Sequence, residues 1–328
     1  MEVLWIILIA IVSTYVFVAV TLFIFPSLIH TPATQISSAV KSSAHRGGAG
    51  EFIENTMAAF NNSAQLGIDM LEIDVQQTKD EVVVVAHDND LFRATGKRGK
   101  ISDTLFSELP NYKSQLSLDF DRVMCTSNQN DLKFVKLDEL FEKHNNMVVH
   151  IDTKEGGSSL IKTVSELVLK HKRLEKTIWG NMEESRNNEC YAVNKKIPLF
   201  FSIKKVVFVY VMFYMGLIGF VPLKESFFTI PFLRTGLEKF SDMLTFNQRI
   251  TLKIIDFMSM NRILFWHLHQ RGIKVVLFVL NSKKMFTAAG NYNTDGIMTD
   301  FPSQLMEFCN INHQQEKSFN KVKNTLDT

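Results

Sequence analysis

The stretch from 44 to 88 decides how this chain is read: Ala44-His45-Arg46-Gly47-Gly48, Glu54-Asn55-Thr56, Met70-Leu71-Glu72-Ile73-Asp74-Val75 and Val82-Val83-Val84-Val85-Ala86-His87-Asp88. Side chains alternate across a strand at period two. A strand over 69–75 therefore sets Glu72 and Asp74 on one face and Leu71, Ile73 and Val75 on the other. Two carboxylates about 7 Å apart on one face can hold a hard divalent cation between them. The run 82–86 is apolar throughout, as a strand buried on both faces should be, and His87 follows at its C-terminal end. A third run, Met147-Val148-Val149-His150-Ile151-Asp152, leads into Thr153 and Lys154, with Asp152 and Lys154 on one face. Three strands that each end in polar groups place a site where parallel α/β folds keep theirs.

These residue types suit one kind of chemistry. A phosphodiester is an anion, and a nucleophile reaches it only when that charge is neutralised. Arg46 offers a bidentate fork to phosphate oxygens, and Lys154 adds a point charge. A Mg²⁺ or Ca²⁺ ion on Glu72, Asp74 and Asp152 could polarise a nonbridging oxygen. His45 and His87 titrate near neutral pH and could serve as a base and acid pair. Each feature alone has a plain structural reading. An E-x-D pair is common on strands, His87-Asp88 could be a strand end entering a turn, Arg46 could pair with a structural carboxylate, and Gly47-Gly48 could be a turn. Their recurrence at successive strand ends favours the chemical reading.

With His45-Arg46-Gly47, Glu54-Asn55-Thr56, Glu72-x-Asp74, His87-Asp88 and the late Thr299-Asp300-x-Pro302, the chain resembles the glycerophosphodiester phosphodiesterase family over residues 41–309. Within that family it looks most like the membrane-anchored members of lysophospholipase D type. The resemblance implies a TIM (β/α)8 barrel. It implies one divalent cation held by Glu72, Asp74 and Asp152, His45 and His87 as the catalytic pair, and Arg46 and Lys154 as phosphate contacts. Glu54 and Asn55 would shape the site, with Glu54 orienting Arg46 or a histidine. It also implies two steps: a neighbouring hydroxyl of the substrate glycerol attacks phosphorus to give a cyclic phosphate, and water opens it. The chain departs from the family twice. Asp152-Thr153-Lys154 stands where the family usually has E-x-K, keeping the charge on a side chain one methylene shorter. Phe278, in Leu277-Phe278-Val279-Leu280-Asn281, stands where a tryptophan often lines the substrate mouth, and it loses the indole donor.

At 328 residues the chain accommodates one large α/β domain and an anchor. A net charge of +2 with no long basic cluster argues against a nucleic-acid partner. The three cysteines, Cys125, Cys190 and Cys309, are too scattered for a disulfide framework or a zinc site. Asn61-Asn62-Ser63 is a formal glycosylation sequon inside an expected helix and reads as chance. Strands are expected near 42–46, 69–75, 82–86, 147–152, 176–179, 198–202, 274–280 and 295–299, the barrel count of eight. Helices are expected at 55–66, 137–144, 158–171 and 259–271, with Gly67 and Gly272 as C-caps. Residues 88–135 read as a polar insertion, a lid or side subdomain, within a barrel domain over 40–310. A polar tail follows at 311–328.

Residues 3–25 carry no charge and suffice to span a bilayer, so residues 1–30 read as a retained anchor rather than a cleaved signal. No Lys or Arg precedes the span, and Lys41 is the first after it, which favours a catalytic domain facing the cytosol, on the endoplasmic reticulum or another endomembrane. A second apolar stretch, within 204–233, runs from Val206 to Leu223. A single crossing there would split the barrel across the membrane. The stretch must therefore return, as a hairpin or as elements lying in the interface, using Gly216, Gly219, Pro222 and Pro231 as bends; the plain alternative is a buried helix. An apolar surface near the site suits a substrate with one acyl chain. The leading expectation is a metal-dependent phosphodiesterase that hydrolyses lysophospholipids, including N-acyl lysophosphatidylethanolamine, to lysophosphatidic acid and the free headgroup. The alternatives are a diesterase for soluble glycerophosphodiesters such as glycerophosphocholine, and a non-catalytic lipid-binding membrane protein. Lysophospholipid and membrane lipid are the expected partners, with no protein partner.

Overall fold

The structure is a computed structural model. It describes residues 1–310 apart from 35, 37–39, 120, 122, 127–131, 155–156 and 241, and apart from the side chains of 235, 236 and 238. The polar tail expected at 311–328 lies outside the described residues. In chain order the strands are β1 Ser42–Ala44, β2 Met70–Gln77, β3 Val83–Val85, β4 Gln115–Ser117, β5 Met124–Thr126, β6 Val135–Lys136, β7 Val148–Thr153, β8 Thr177–Gly180, β9 Phe227–Pro231, β10 Lys274–Phe278 and β11 Gly296–Thr299. The helices are α1 Glu2–Ile24, α2 Met57–Leu66, α3 Phe92–Thr95, α4 Leu137–Lys143, α5 Gly157–Lys170, α6 Glu184–Val193, α7 Ile203–Tyr214, α8 Arg234–Lys239, α9 Phe246–Ser259, α10 Arg262–Gln270 and α11 Lys283–Gly290.

A parallel ladder runs β9-β10-β11-β1-β2-β7-β8. Its two open edges meet at a short extended segment. Leu199 bridges Trp179 of β8, and Phe200 bridges Phe227 of β9, both in parallel sense. The bonds are Phe200 N–H to Trp179 O at 3.0 Å, Ser226 N–H to Leu199 O at 2.7 Å and Phe201 N–H to Phe227 O at 3.1 Å. Counting this segment, eight parallel staves close into the expected barrel. Met70, Val148, Ile178, Phe200, Phe227, Val276 and Met298 form an apolar cluster contributed by seven of the staves, which fills the barrel interior and closes it as a pore. Larger apolar clusters seal the helices onto the outside.

Two of the expected elements change place. The run 82–86 is not a barrel stave: β3 pairs antiparallel with β2, Val75 opposite Val85, and antiparallel again with β6. The reason is loop length. Five residues, Thr78 to Val82, separate β2 from β3, enough for a hairpin but far short of the dozen a parallel crossover needs. The stave that takes its place is β9, which the sequence hides inside the apolar stretch 204–233. That stretch does return on itself. It forms α7, a turn at Gly216 (φ +71°), a 3₁₀ turn at Ile218–Phe220, and then the stave.

The expected helices at 55–66, 137–144, 158–171 and 259–271 are α2, α4, α5 and α10. Gly67 closes α2 in the left-handed conformation (φ +79°) that spares glycine a Cβ clash. The sequon lies within α2, where Ser63 is buried with its hydroxyl donating to Gly47 O at 2.8 Å. Cys125 and Cys190 are buried, and all three thiols are free. Residues 88–135 pack a small core of their own, with Leu91, Ala94, Ile101, Tyr112, Leu116 and Phe134 against Ile53, Val84 and Ala86. Helix α1 is 23 residues long with a mean hydropathy of 2.7 and no buried residue in its most apolar window. Its last turn docks on the barrel wall. Phe23 stacks on His267 and leans on Phe213 and Trp266, and His30 Nε2 meets Gly219 O at 2.9 Å.

Candidate active site

The register of two staves builds the centre of the site. Glu72 lies opposite His150, and Asp74 opposite Asp152, so four inward side chains form two layers at the C-terminal half of the barrel. His45 and Arg46 follow β1 in a tight turn, Arg46 with φ +49° and Gly48 with φ +102°. Substituting a side chain at Gly48 would drive a Cβ to 2.8 Å from Pro302, which explains the glycine there. A cavity of about 120 Å³ is lined by His45, Arg46, Glu72, Asp74, His87, His150, Asp152, Lys154, Met182, Thr229, Phe278 and Met298. The catalytic, phosphate and metal residues expected from sequence all face this one space, and Phe278 forms part of its apolar wall. Glu54 and Asn55 stand behind it.

Each histidine is held through Nδ1. His45 Nδ1 lies 2.7 Å from Asp300 Oδ1, and Asp300 is fixed in turn by Asn281 Nδ2 at 2.8 Å. His87 Nδ1 lies 2.6 Å from Asp88 Oδ1. Both rings are thus oriented through Nδ1, and His45 Nε2 stands 4.0 Å from Glu72. Burial alone would favour the neutral His45 ring. The Asp300 carboxylate outweighs it and raises the pKa above the usual imidazole value.

Glu54 holds Arg46 directly and touches no histidine, reaching His87 only through Arg93 and Asp88. Its Oε2 takes Arg46 Nη1 at 3.1 Å, and its Oε1 takes Arg93 Nη2 at 2.5 Å. Arg93 also pairs with Asp88, the carboxylate behind His87. The result is an unbroken row of paired groups, Arg46–Glu54–Arg93–Asp88–His87. Arg46 is further held by Asp119 at 2.8 Å and stands 3.6 Å from Asp74. Asp119 is the most exposed of these three carboxylates, and Arg46 Nε is buried without a hydrogen-bond partner. Asn55, itself left-handed at φ +57°, contacts Asp74 through Nδ2 at 3.5 Å.

Lys154 Nζ sits between Asp74 Oδ1, at 2.9 Å, and Asp152 Oδ2, at 2.5 Å. Burial would raise the Asp74 pKa, but Lys154 and Arg46 overwhelm it and hold the group well below the usual carboxylate range. Glu72 goes the other way, pushed up to about 7 by burial and by the facing Asp74. Burial also raises Asp152, whose Oδ1 is buried without a partner. Two carboxylates that resist ionisation and one orphaned oxygen, all on one cavity, fit a divalent cation: an ion there would relieve the repulsion and satisfy Asp152 Oδ1. A second acidic group, Asp138, Glu142 and His171, lies on α4 and just past the end of α5. Lys170 and His171 already occupy Asp138 at 2.6 Å each, which makes it a surface ion-pair cluster.

Sequence reading missed several members. Asp300 was quoted within a motif but given no role, and Asn281 and Arg93 were not singled out. His150 shares the inward parity of Asp152, the signal that could have found it. Its ring stacks on Phe200 at 4.7 Å, both nitrogens lack partners, and burial drops its pKa to about 4.

The barrel, the inward carboxylates and the paired histidines define a phosphoric diester hydrolase. A family model described as glycerophosphoryl diester phosphodiesterase matches residues 45–193. Human lysophospholipase D GDPD1 is 40% identical over 285 residues, covering 87% of this chain and 90% of that protein. Human lysophospholipase D GDPD3 is 33% identical over 290 residues, covering 88% of this chain and 90% of that protein. Among solved structures, the Thermotoga maritima glycerophosphodiester phosphodiesterase aligns with a TM-score of 0.55 at 21% identity, over 82% of this chain and 98% of that one. A Silicibacter pomeroyi relative aligns with a TM-score of 0.59 at 16% identity, over 85% of this chain and 96% of that one. At such identities these two speak for the fold alone. The chain belongs to the glycerophosphodiester phosphodiesterase family, whose enzymes generally depend on a divalent metal ion.

Proposed function

We propose that this protein is a membrane-bound lysophospholipase D. It would hydrolyse a lysophospholipid, N-acyl lysophosphatidylethanolamine included, to lysophosphatidic acid and the free headgroup alcohol or N-acylethanolamine. One observation carries the reading: helix α7, with its exposed apolar side chains, begins at Ile203, whose N–H donates at 3.0 Å to the carbonyl of Met182, a residue that lines the cavity of histidines and carboxylates. In α7, which starts two residues after the Leu199–Phe201 stave ends, Ile203 is 62% exposed and Val207 57% exposed. A soluble glycerophosphodiester has no use for such a surface, while a single acyl chain does. The relatives named lysophospholipase D support the same substrate class.

In this reading Glu72, Asp74 and Asp152 hold one Mg²⁺ or Ca²⁺ ion. When bound, the ion supplies charge neutralisation at a nonbridging phosphate oxygen. Lys154 and Arg46 bind the remaining phosphate charge, Arg46 exchanging Asp119 for the substrate. His45 and His87, each oriented through Nδ1, take the proton from the attacking hydroxyl and deliver one to the leaving oxygen. Phe278, Met182 and Met298 keep water from the glycerol side. The protein would sit in the endoplasmic reticulum or another endomembrane with the barrel facing the cytosol. The test is turnover of lysophosphatidylcholine and glycerophosphocholine, side by side, by detergent-purified full-length protein with Mg²⁺, Ca²⁺ or chelator. Lysophosphatidylcholine should be hydrolysed faster, with one ion restoring chelated enzyme. Preference for glycerophosphocholine would replace this reading with the soluble-diester one.

A further inference from the structure

Helix α9 is built the wrong way round for water. Its only buried residue is Asp256, which faces inward to Arg234 at 2.8 Å. Phe246, Ile250, Ile254 and Phe257, spaced four, four and three, form one stripe, and they are 72%, 42%, 54% and 82% exposed. The helix nonetheless starts with a full capping box, Thr245 with Gln248, so it is a specified helix rather than an accident of composition.

We propose that α9 lies in the lipid interface at the rim of the barrel mouth. Three observations choose a bilayer as the occupant. The first is continuity with the anchor. The C-terminal end of α9 is tied to α7 by Tyr214 Oη to Met258 O and Tyr210 Oη to Ser259 O, both 2.7 Å. Phe213, the neighbour of Tyr214, packs on Phe23 of α1. Exposed Ile263 and Trp266 of α10 extend the same face. A chain of direct contacts thus joins the stripe to a helix long and apolar enough to cross a membrane. The second is charge. Between 246 and 270 the exposed ionised side chains are Arg249, Lys253 and Arg262, while the one acid there, Asp256, is buried and paired. Apolar stripe and basic flank are the signature of a helix lying at a phosphate-bearing surface. The third is position. Helices α8 and α9 follow the C-terminal end of β9, and β9 contributes Thr229 to the catalytic cavity, so the stripe belongs to the mouth side of the barrel. The consequence, which rests on the lysophospholipid reading, is that substrate enters from lipid past α9.

The test uses full-length protein in nanodiscs of phosphatidylcholine with phosphatidylserine, one copy per disc. A spin label on Phe257→Cys in a Cys309→Ser background is compared with the same label on Leu169→Cys, an exposed site on α5. The label at 257 should relax with oxygen and be shielded from a water-soluble nickel chelate, and the label at 169 should do the reverse. Equal access of the chelate to both labels overturns the proposal. A label at 257 shielded from both agents, with label-to-label coupling in discs that hold two copies, assigns the stripe to a second copy and overturns it too. Phe257→Glu with Ile254→Glu should lower turnover of bilayer lysophosphatidylcholine about tenfold while leaving turnover of monomeric glycerophosphocholine unchanged. If wild-type protein ignores lysophosphatidylcholine, the substrate reading fails while the depth measurement still decides the place of α9.

Discussion

The cavity and the outer face formed by α7, α9 and α10 reverse the usual placement of residues. In the cavity and just behind it, five ionisable side chains that water would normally solvate, Arg46, Glu72, Asp74, Asp152 and Glu54, are each less than 9% exposed. On the outer face, Phe246, Phe257 and Ile263 stand more than half exposed. The cavity tolerates its charges because nearly every one has a counterpart within hydrogen-bond reach. Among the described residues no group covers the outer face, and the occupant proposed for it is lipid. The comparison separates two questions that one activity merges. In the function proposed above, the cavity sets the bond that is broken, and the outer face sets which molecules bring that bond to it.

The largest blow to the cavity alone is His45→Ala or His87→Ala. Either should lower kcat by about 10³-fold, with lysolipid binding to the protein retained; loss of binding instead would mean that the histidines build the pocket rather than run the reaction. Asp300→Asn is milder and more telling. It should lower kcat about hundredfold. It should also move the His45 limb of the pH–rate profile to lower pH, because Asp300 is what lifts that ring above its usual value. A limb that stays in place would show that Asp300 only packs. On the outer face, Val207→Glu with Val211→Glu should cost about tenfold on lysophosphatidylcholine in bilayers and nothing on glycerophosphocholine. Equal losses on both substrates would erase the division between the two regions.

The smallest effect joins metal and stability. Without metal, folded Glu72 titrates at about 7 against the ordinary 4.5. Between those values the folded protein keeps a proton that the unfolded chain has released, so stability falls as pH rises through the window, with the full loss above pH 7. An ion on Glu72 removes the penalty. The metal-induced rise in Tm should therefore be a few degrees larger at pH 8 than at pH 5.5, and Glu72→Gln should abolish that difference.

Much of the site was legible because alternation along β2 and β7 is short-range. Glu72, Asp74, Asp152 and Lys154 announce their shared face within a few residues. Their partners are not local. Asp300 meets His45 across 255 positions, and no periodicity in the chain points from one to the other. Arg93 sits on a one-turn helix in a stretch without pattern. The fold was legible in its count of eight and misread in its membership. An unbroken apolar run leading into His87 makes 82–86 look like a stave, although the five-residue link forbids a crossover. The stave at β9, Phe227-Phe228-Thr229-Ile230-Pro231, is buried at four of its five positions. With both faces covered it shows no alternation, and it merges with the apolar helix before it.

The row Arg46–Glu54–Arg93–Asp88–His87 carries a consequence for inheritance. Glu54, Arg93 and Asp88 each hold two neighbours, so replacing any one removes a partner from the groups on both sides of it at once, although Arg46 keeps Asp119. Neighbouring positions in this row should therefore be coupled, and a library that randomises them two at a time should recover more survivors than the two single-site libraries predict by simple addition.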